Sequence, residues 1–97
     1  MHVISKKRLK EFWSDHRDAE RSLAAWVKIT AKAKWESLTE VKKAFPSADL
    51  VGQCVVFNIA GNKYRLIVRI QRQRVYIRHI MTHAEYDRGK WKDDCEC

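Results

Sequence analysis

The sequence predicts an α+β domain, with an N-terminal strand and helices packed on one face of a mostly antiparallel sheet. Three observations predict it. Apolar side chains recur at helical spacing up to Pro46 and at a spacing of about two from Cys54 onward. Two short turns, Ala60-Gly61-Asn62 and Arg72-Gln73, separate runs rich in β-branched residues. The chain has 97 residues, 45% of them apolar, with one Pro and three Gly, which suits a single globular domain over residues 1–97 with a modest core.

The elements follow in order. His2-Val3-Ile4 reads as a short strand. Ser5 is placed to cap a helix in which Leu9, Phe12, Trp13 and His16 share one face. A break near residues 15–18 ends it. A second helix over about residues 19–34 carries the stripe Leu23, Trp26, Val27 and Thr30, which is a core pattern. Ser37-Leu38-Thr39-Glu40 is a capping-box signature for a short third helix. Pro46 disfavours helical geometry at Phe45 and so ends it. Residues 46–53 read as a loop. Strands follow from Cys54 to Ile59, from Lys63 to Gln71 and from Arg74 to Met81, and residues 88–97 read as a flexible tail.

Charge points to the partner. The net charge is +8, from 20 Lys/Arg against 12 Asp/Glu. That favours nucleic acid first, an acidic protein second and a membrane surface third. Between Leu50 and Ala84 there is no Asp or Glu, yet Lys63, Arg65, Arg69, Arg72, Arg74 and Arg78 all fall there. Alternation turns Tyr64, Leu66, Val68, Ile70, Val75, Ile77, His79 and Met81 toward the helices. It puts Lys63, Arg65, Arg69, Arg74 and Arg78 with Tyr76 on the opposite face. A sheet covered on one side always has a polar side, so an ordinary solvated face is the bland alternative. Like charges on neighbouring strands repel, however, and a face without counter-ions implies a polyanion. Arginine pairs bidentately with phosphate and tyrosine offers a stacking platform. Arg69, Arg74 and Tyr76 are therefore candidate RNA contacts.

Chemistry enters just past the third of these strands, at Thr82-His83-Ala84-Glu85-Tyr86-Asp87. His83 can take or give a proton near neutral pH. Tyr86 shares its face if a helical turn starts at Thr82. The bland alternative is a well-capped turn, with Thr82 and Glu85 as the box. His79 reads as a core residue, and His2 and His16 have no supporting context. RNA cleavage needs a base for the ribose 2′-OH, cations for the charged transition state and an acid for the leaving 5′-oxygen. Arginines with one His or Tyr supply these groups. No acidic cluster suited to two Mg²⁺ ions appears, and no cofactor or metal is expected.

Cys54, Cys95 and Cys97 are odd in number and irregular in spacing, which argues for a reducing cytosol and against a disulfide framework. Cys95 and Cys97 could hold a soft metal, but two thiols do not complete a site. The first ten residues are polar and basic, so no signal peptide or membrane span is expected, and the cytoplasm is the expected location.

Several motifs in order carry a family resemblance. They are Met1-His2-Val3-Ile4-Ser5, Ala44-Phe45-Pro46-Ser47, Val56-Phe57-Asn58-Ile59, Gly61-Asn62-Lys63-Tyr64-Arg65-Leu66, Tyr76-Ile77-Arg78 and Thr82 to Asp87. Together they resemble the HigB toxins of the RelE-like superfamily, from about Met1 to Asp87. The resemblance implies a compact RelE-like domain and a ribosome-dependent endoribonuclease that cuts mRNA in the A site. It implies a cognate HigA-type antitoxin with a helix-turn-helix, through which the pair would reach operator DNA. It points to Lys63, Arg65, Arg78, His83 and Tyr86 as catalytic candidates, working without metal. Two loops, at Gly52-Gln53 and Arg72-Gln73, look shorter than is usual in the family, and Ala60 stands where a glycine is common. Two other readings use the same basic face: a non-catalytic RNA- or ribosome-binding protein, and a regulatory module for an acidic protein.

Overall fold

The computed structural model describes residues 1–95. The soft-metal pairing of Cys95 with Cys97 therefore lies outside the described residues.

Strand β1 (His2–Ile4) leads into helix α1 (Lys6–Asp15), a 3-10 turn (Arg17–Ala19) and helix α2 (Glu20–Lys32). Helix α3 (Leu38–Ala44) precedes strands β2 (Asp49–Val51), β3 (Cys54–Ile59), β4 (Tyr64–Gln71) and β5 (Arg74–Thr82). Helix α4 (His83–Arg88) and a C-terminal 3-10 helix (Lys90–Cys95) close the described chain. The sheet order is β1-β5-β4-β3-β2. Among the described strands only the β1–β5 pair is parallel, with His2 opposite Arg74 and Ile4 opposite Tyr76. The α+β expectation holds.

The helical stripes became the core. Leu9, Leu23, Trp26 and Thr30 are buried against Phe57, Leu66, Val68, Val75 and Ile77 on one sheet face. Trp26 and Phe57 meet edge-on, their centroids 5.4 Å apart. Ser37 caps α3 by accepting from the Glu40 amide at 3.4 Å. Ser5 does not cap α1. Its backbone is left-handed (φ 77°) and its hydroxyl makes no capping bond, because the chain must reverse between a parallel strand and a helix lying over it.

Four expectations are corrected. Residues 49–51 form an edge strand rather than a loop; Leu50 is 52% exposed, so burial left no pattern there to read. Cys54 and Cys95 are joined by a disulfide across a separation of 41 residues. The expected tail is packed as far as Cys95, with Trp91 and Cys95 buried. The face assignments change along β5. Ile67 sits opposite His79 and Val68 opposite Ile77, which leaves Arg78 as an extra residue in a β-bulge. One inserted residue swaps the faces of everything beyond it. His79 and Met81 therefore lie on the supposed cationic face, and Ile80 lies on the core face against Leu66.

That second face is not a bare cationic surface. Cys54, Val56, Ile67, Trp91 and Cys95 form a second apolar cluster at its middle, with Val51, Met81 and Tyr86 packed around it. The C-terminal 3-10 helix is the cover.

Candidate active site

The second face has two polar ends, separated by the nine-residue β5, or about 26 Å at ~3.3 Å per residue. The first end is where β4 begins and β5 finishes. Tyr64 pairs with Thr82 and Arg65 with Met81. The Thr82 hydroxyl accepts from the Glu85 amide while Glu85 reaches back to the Thr82 amide, a complete capping box. The local sequence thus starts a helix at the last residue of the strand. It points His83 and Tyr86 back over the sheet end. The His83 amide donates to the Lys63 carbonyl at 2.9 Å, which ties α4 to the β3–β4 turn.

Arg65 is the centre of this end and is 7% exposed. Its guanidinium donates to the Asn62 carbonyl at 3.1 Å, to the Asn62 side-chain oxygen at 2.5 Å and to the Tyr64 carbonyl at 3.2 Å. The Tyr86 ring lies over it, with the centroid 5.2 Å from the guanidinium carbon. Tyr86 in turn stacks on Trp91 at 4.8 Å, and the Trp91 indole donates to the Tyr86 carbonyl at 2.9 Å. His83 Nε2 lies 3.1 Å from the Asp87 carboxylate, whereas its Nδ1 is shielded and has no hydrogen-bond partner among the described residues.

Lys63 is at this end but points elsewhere. It lies in the turn before β4, and its ammonium reaches Asp18 at 3.0 Å. Tyr64 donates to the same carboxylate at 2.5 Å. These bonds, Tyr64 first and Lys63 second, hold the Asp18 carboxyl below its ordinary value. The carboxylate raises the Tyr64 phenol above its own. Phe12 and His16 stack at 4.1 Å and both meet Tyr64 edge-on, so His16 has the context that its sequence position did not show.

Arg78 stands apart in the β5 bulge, three residues from Met81 and about 10 Å along the strand at ~3.3 Å per residue. His79, expected in the core, has a side chain 27% exposed and donates from Nε2 to Asp94 at 2.6 Å. It lines a cleft of about 210 Å³ with Met81, Glu85, Arg88, Lys90 and Trp91, beside Tyr86. Sequence reasoning missed both His79 and Trp91 as neighbours of this end. The bulge hid the first, and no periodicity marks the second.

The far end holds the remaining cations. Arg69 pairs across the ladder with Tyr76 and donates to the Gln53 side chain. Gln71, Arg72, Arg74 and Tyr76 line a concavity of about 470 Å³. Arg72 and Arg74 are exposed, and no carboxylate pairs with them among the described residues. Arg72 holds a left-handed backbone (φ 57°), strained for a residue with a Cβ. An apolar groove of about 480 Å³ beside α3, lined in part by Trp35, Leu38, Val41, Leu50 and Ile70, contains none of the catalytic candidates.

Among the described residues no group of three or more His, Cys, Asp or Glu is placed to hold a metal ion. No described helix is long and apolar enough to cross a membrane.

Comparison with known proteins gives a consistent result. The family model of HigB toxins, described as the RelE-like toxic component of a toxin–antitoxin system, matches residues 19–89. The chain is 34% identical over 92 residues to the mRNA interferase toxin HigB of Escherichia coli (strain K12), covering 90% of this chain and 88% of that protein. It is similar to the same extent to proteins named mRNA interferase HigB from Escherichia coli O157:H7 and Shigella flexneri.

Proposed function

The chain belongs to the HigB family of RelE-like toxins, toxic components of toxin–antitoxin systems, and on that premise we propose that it is a metal-independent endoribonuclease that cuts mRNA on the ribosome. The observation that carries this reading is the meeting of Arg65, His83 and Tyr86 from two elements at one sheet end, with Lys63 behind them.

Cleavage proceeds by attack of a ribose 2′-oxygen on the adjacent phosphorus, with departure of the 5′-oxygen. His83 Nε2 is the proton-carrying atom, and Asp87 orients its ring. Arg78, the extra residue of the β5 bulge, faces the phosphate and stabilises its growing charge. Lys63 supplies positive potential from the side, and Tyr86 offers its ring edge or hydroxyl to the substrate. Arg65 is nearly buried and directs three N–H bonds to its own turn, so its part is mainly to hold that turn rather than to clamp the phosphate. It positions the Asn62–Lys63 turn and Tyr86. Arg69, Arg72, Arg74 and Tyr76 bind the RNA backbone some 26 Å away, at ~3.3 Å per strand residue. The partner that neutralises the toxin is a HigA-type antitoxin, and the site of action is the cytoplasm.

Induction in growing cells tests this. The expected result is arrest of translation with new mRNA ends in phase with codons. Continued translation without new ends overturns it. His83→Ala is expected to relieve toxicity by lowering cleavage about 10²–10⁴-fold while the protein stays folded by circular dichroism. RNA binding without cleavage is the second reading, favoured by the exposed Arg72 and Arg74, which meet no carboxylate among the described residues. Retained RNA affinity with no mRNA ends at any level of induction would select it.

A further inference from the structure

Trp91 and Cys95 lie beyond the residues that match the family model, which end at 89. They nonetheless touch the site. We propose that Trp91 is a positioning residue for Tyr86, and that the Cys54–Cys95 disulfide is the fastening that keeps it there. The proposal rests on the reading of the sheet end as the active site.

The connection runs through named contacts. The Trp91 ring lies nearly parallel to the Tyr86 ring, at an interplanar angle of 13° and 4.8 Å between centroids. Its indole N–H holds the Tyr86 carbonyl at 2.9 Å. Tyr86 therefore sits between two planar groups, Arg65 on one contact and Trp91 on the other. Tyr86 belongs to a helix of only six residues, which has little intrinsic stability of its own. Its ring orientation must come from these neighbours.

Trp91 needs its own support. It stands on a six-residue 3-10 helix, a form with poor hydrogen-bond geometry that seldom persists unaided. Three contacts fix the helix to the sheet. Cys95 is bonded to Cys54 of β3, the Cys95 carbonyl accepts from the Gln53 amide at 2.9 Å, and Asp94 accepts from His79 at 2.6 Å. The covalent bond spans 41 residues, and closing so long a loop restricts the open chain strongly. Both sulfurs are fully buried, so the bond is exchanged only when the 3-10 helix lifts.

Reduction is a balanced exchange with a dithiol. One reductant thiolate attacks one cysteine sulfur, and the second thiol resolves the mixed disulfide. Cys54 and Cys95 each end as a thiol, and the reductant ends as a disulfide. The 3-10 helix then keeps its hydrogen bonds and packing but loses its covalent tie, and Trp91 departs from Tyr86 for a larger share of the time.

The test labels the indole nitrogens of the intact toxin and follows hydrogen exchange by NMR. The Trp91 signal is assigned by its loss in Trp91→Phe. In the oxidised protein that indole is protected. After dithiothreitol, with both thiols verified by alkylation and mass measurement, its exchange accelerates at least about tenfold, while the core Trp26 indole stays protected and reports an intact fold. Equal protection of Trp91 in both forms overturns the fastening. On ribosomes translating a defined mRNA, Trp91→Ala lowers kcat between about ten- and a hundredfold with KM unchanged, and Trp91→Phe, which keeps the ring, restores most of it. Unchanged kcat in Trp91→Ala overturns the positioning role. Cys95→Ser is expected to behave as the reduced protein in both readouts, and wild-type exchange in that variant counts against the proposal. If wild-type toxin cleaves nothing, the functional reading fails, and the exchange measurement still decides whether the disulfide holds Trp91.

Discussion

Arg65 and Arg74 stand on neighbouring strands of the same sheet, within one run of sequence that has no carboxylate. Arg65 is 7% exposed, makes three hydrogen bonds and lies under an aromatic ring. Arg74 is exposed, and neither it nor Arg72 meets a carboxylate among the described residues. A buried guanidinium bonded to its own turn is part of the fold, whereas an exposed one is available to a phosphate. Charge in a sequence counts both alike; only burial separates them.

The largest effect that would break this contrast is on stability. Arg65→Ala is expected to lose about 2–4 kcal/mol in urea denaturation, since the buried Tyr64 carbonyl loses its donor and a void opens under Tyr86. Arg74→Ala is expected to stay within about 0.5 kcal/mol of the parent. An Arg65→Ala protein as stable as the parent would show that Arg65 is free after all.

RNA binding sharpens the contrast from the other side. Arg72→Gln with Arg74→Gln is expected to flatten the slope of log affinity against log salt by about 1.4, or ~0.7 per phosphate contact on a single strand. Fluorescence anisotropy with a short labelled RNA at several salt concentrations measures it. An unchanged slope would mean that the far end does not meet phosphate.

Lys63 is intermediate, a cation with one exposed partner, and pH reads that pair. Asp18 has a depressed carboxyl, so its contribution is present above the ordinary carboxylate value of 3.8 and is lost as pH falls through the lower folded value. Tyr64 is raised, so its contribution holds below 10.0 and is lost as pH rises through the higher folded value. Asp18→Asn is expected to remove both pH-dependent limbs, checked by thermal melts at acid and alkaline pH against the parent. The smallest effect concerns Ala60, which is left-handed (φ 54°). Ala60→Gly is expected to raise stability by about 0.5 kcal/mol, because relief of left-handed strain exceeds the entropy that glycine adds to the unfolded chain.

The helices and the three long strands were legible because their burial repeats along the chain. Leu23, Trp26 and Thr30 mark one helical face, and Leu66, Val68 and Ile70 mark one strand face. The site was legible as a set of residues but not as an arrangement. One inserted residue at Arg78 moved His79 from the core face to the site face, and no local pattern announces a bulge. Trp91 is buried on a six-residue 3-10 helix, too short to show a period. The Cys54–Cys95 bond joins positions whose spacing carries no motif. Arg65 shows the general limit: alternation gave its face, while its bonds to Asn62 and Tyr64 depend on how a turn folds back.

The parallel pairing of β1 with β5 also sets a timetable. His2 cannot find Arg74 until more than seventy further residues have been made, which at about 5–20 residues per second takes several seconds. Through that interval α1 and α2 have no complete sheet to lie on, and the hairpin of β4 and β5 does not yet exist. Contacts this distant in sequence are late and slow to form. The sheet end where Arg65, His83 and Tyr86 meet is therefore complete only once β5 and α4 have been made.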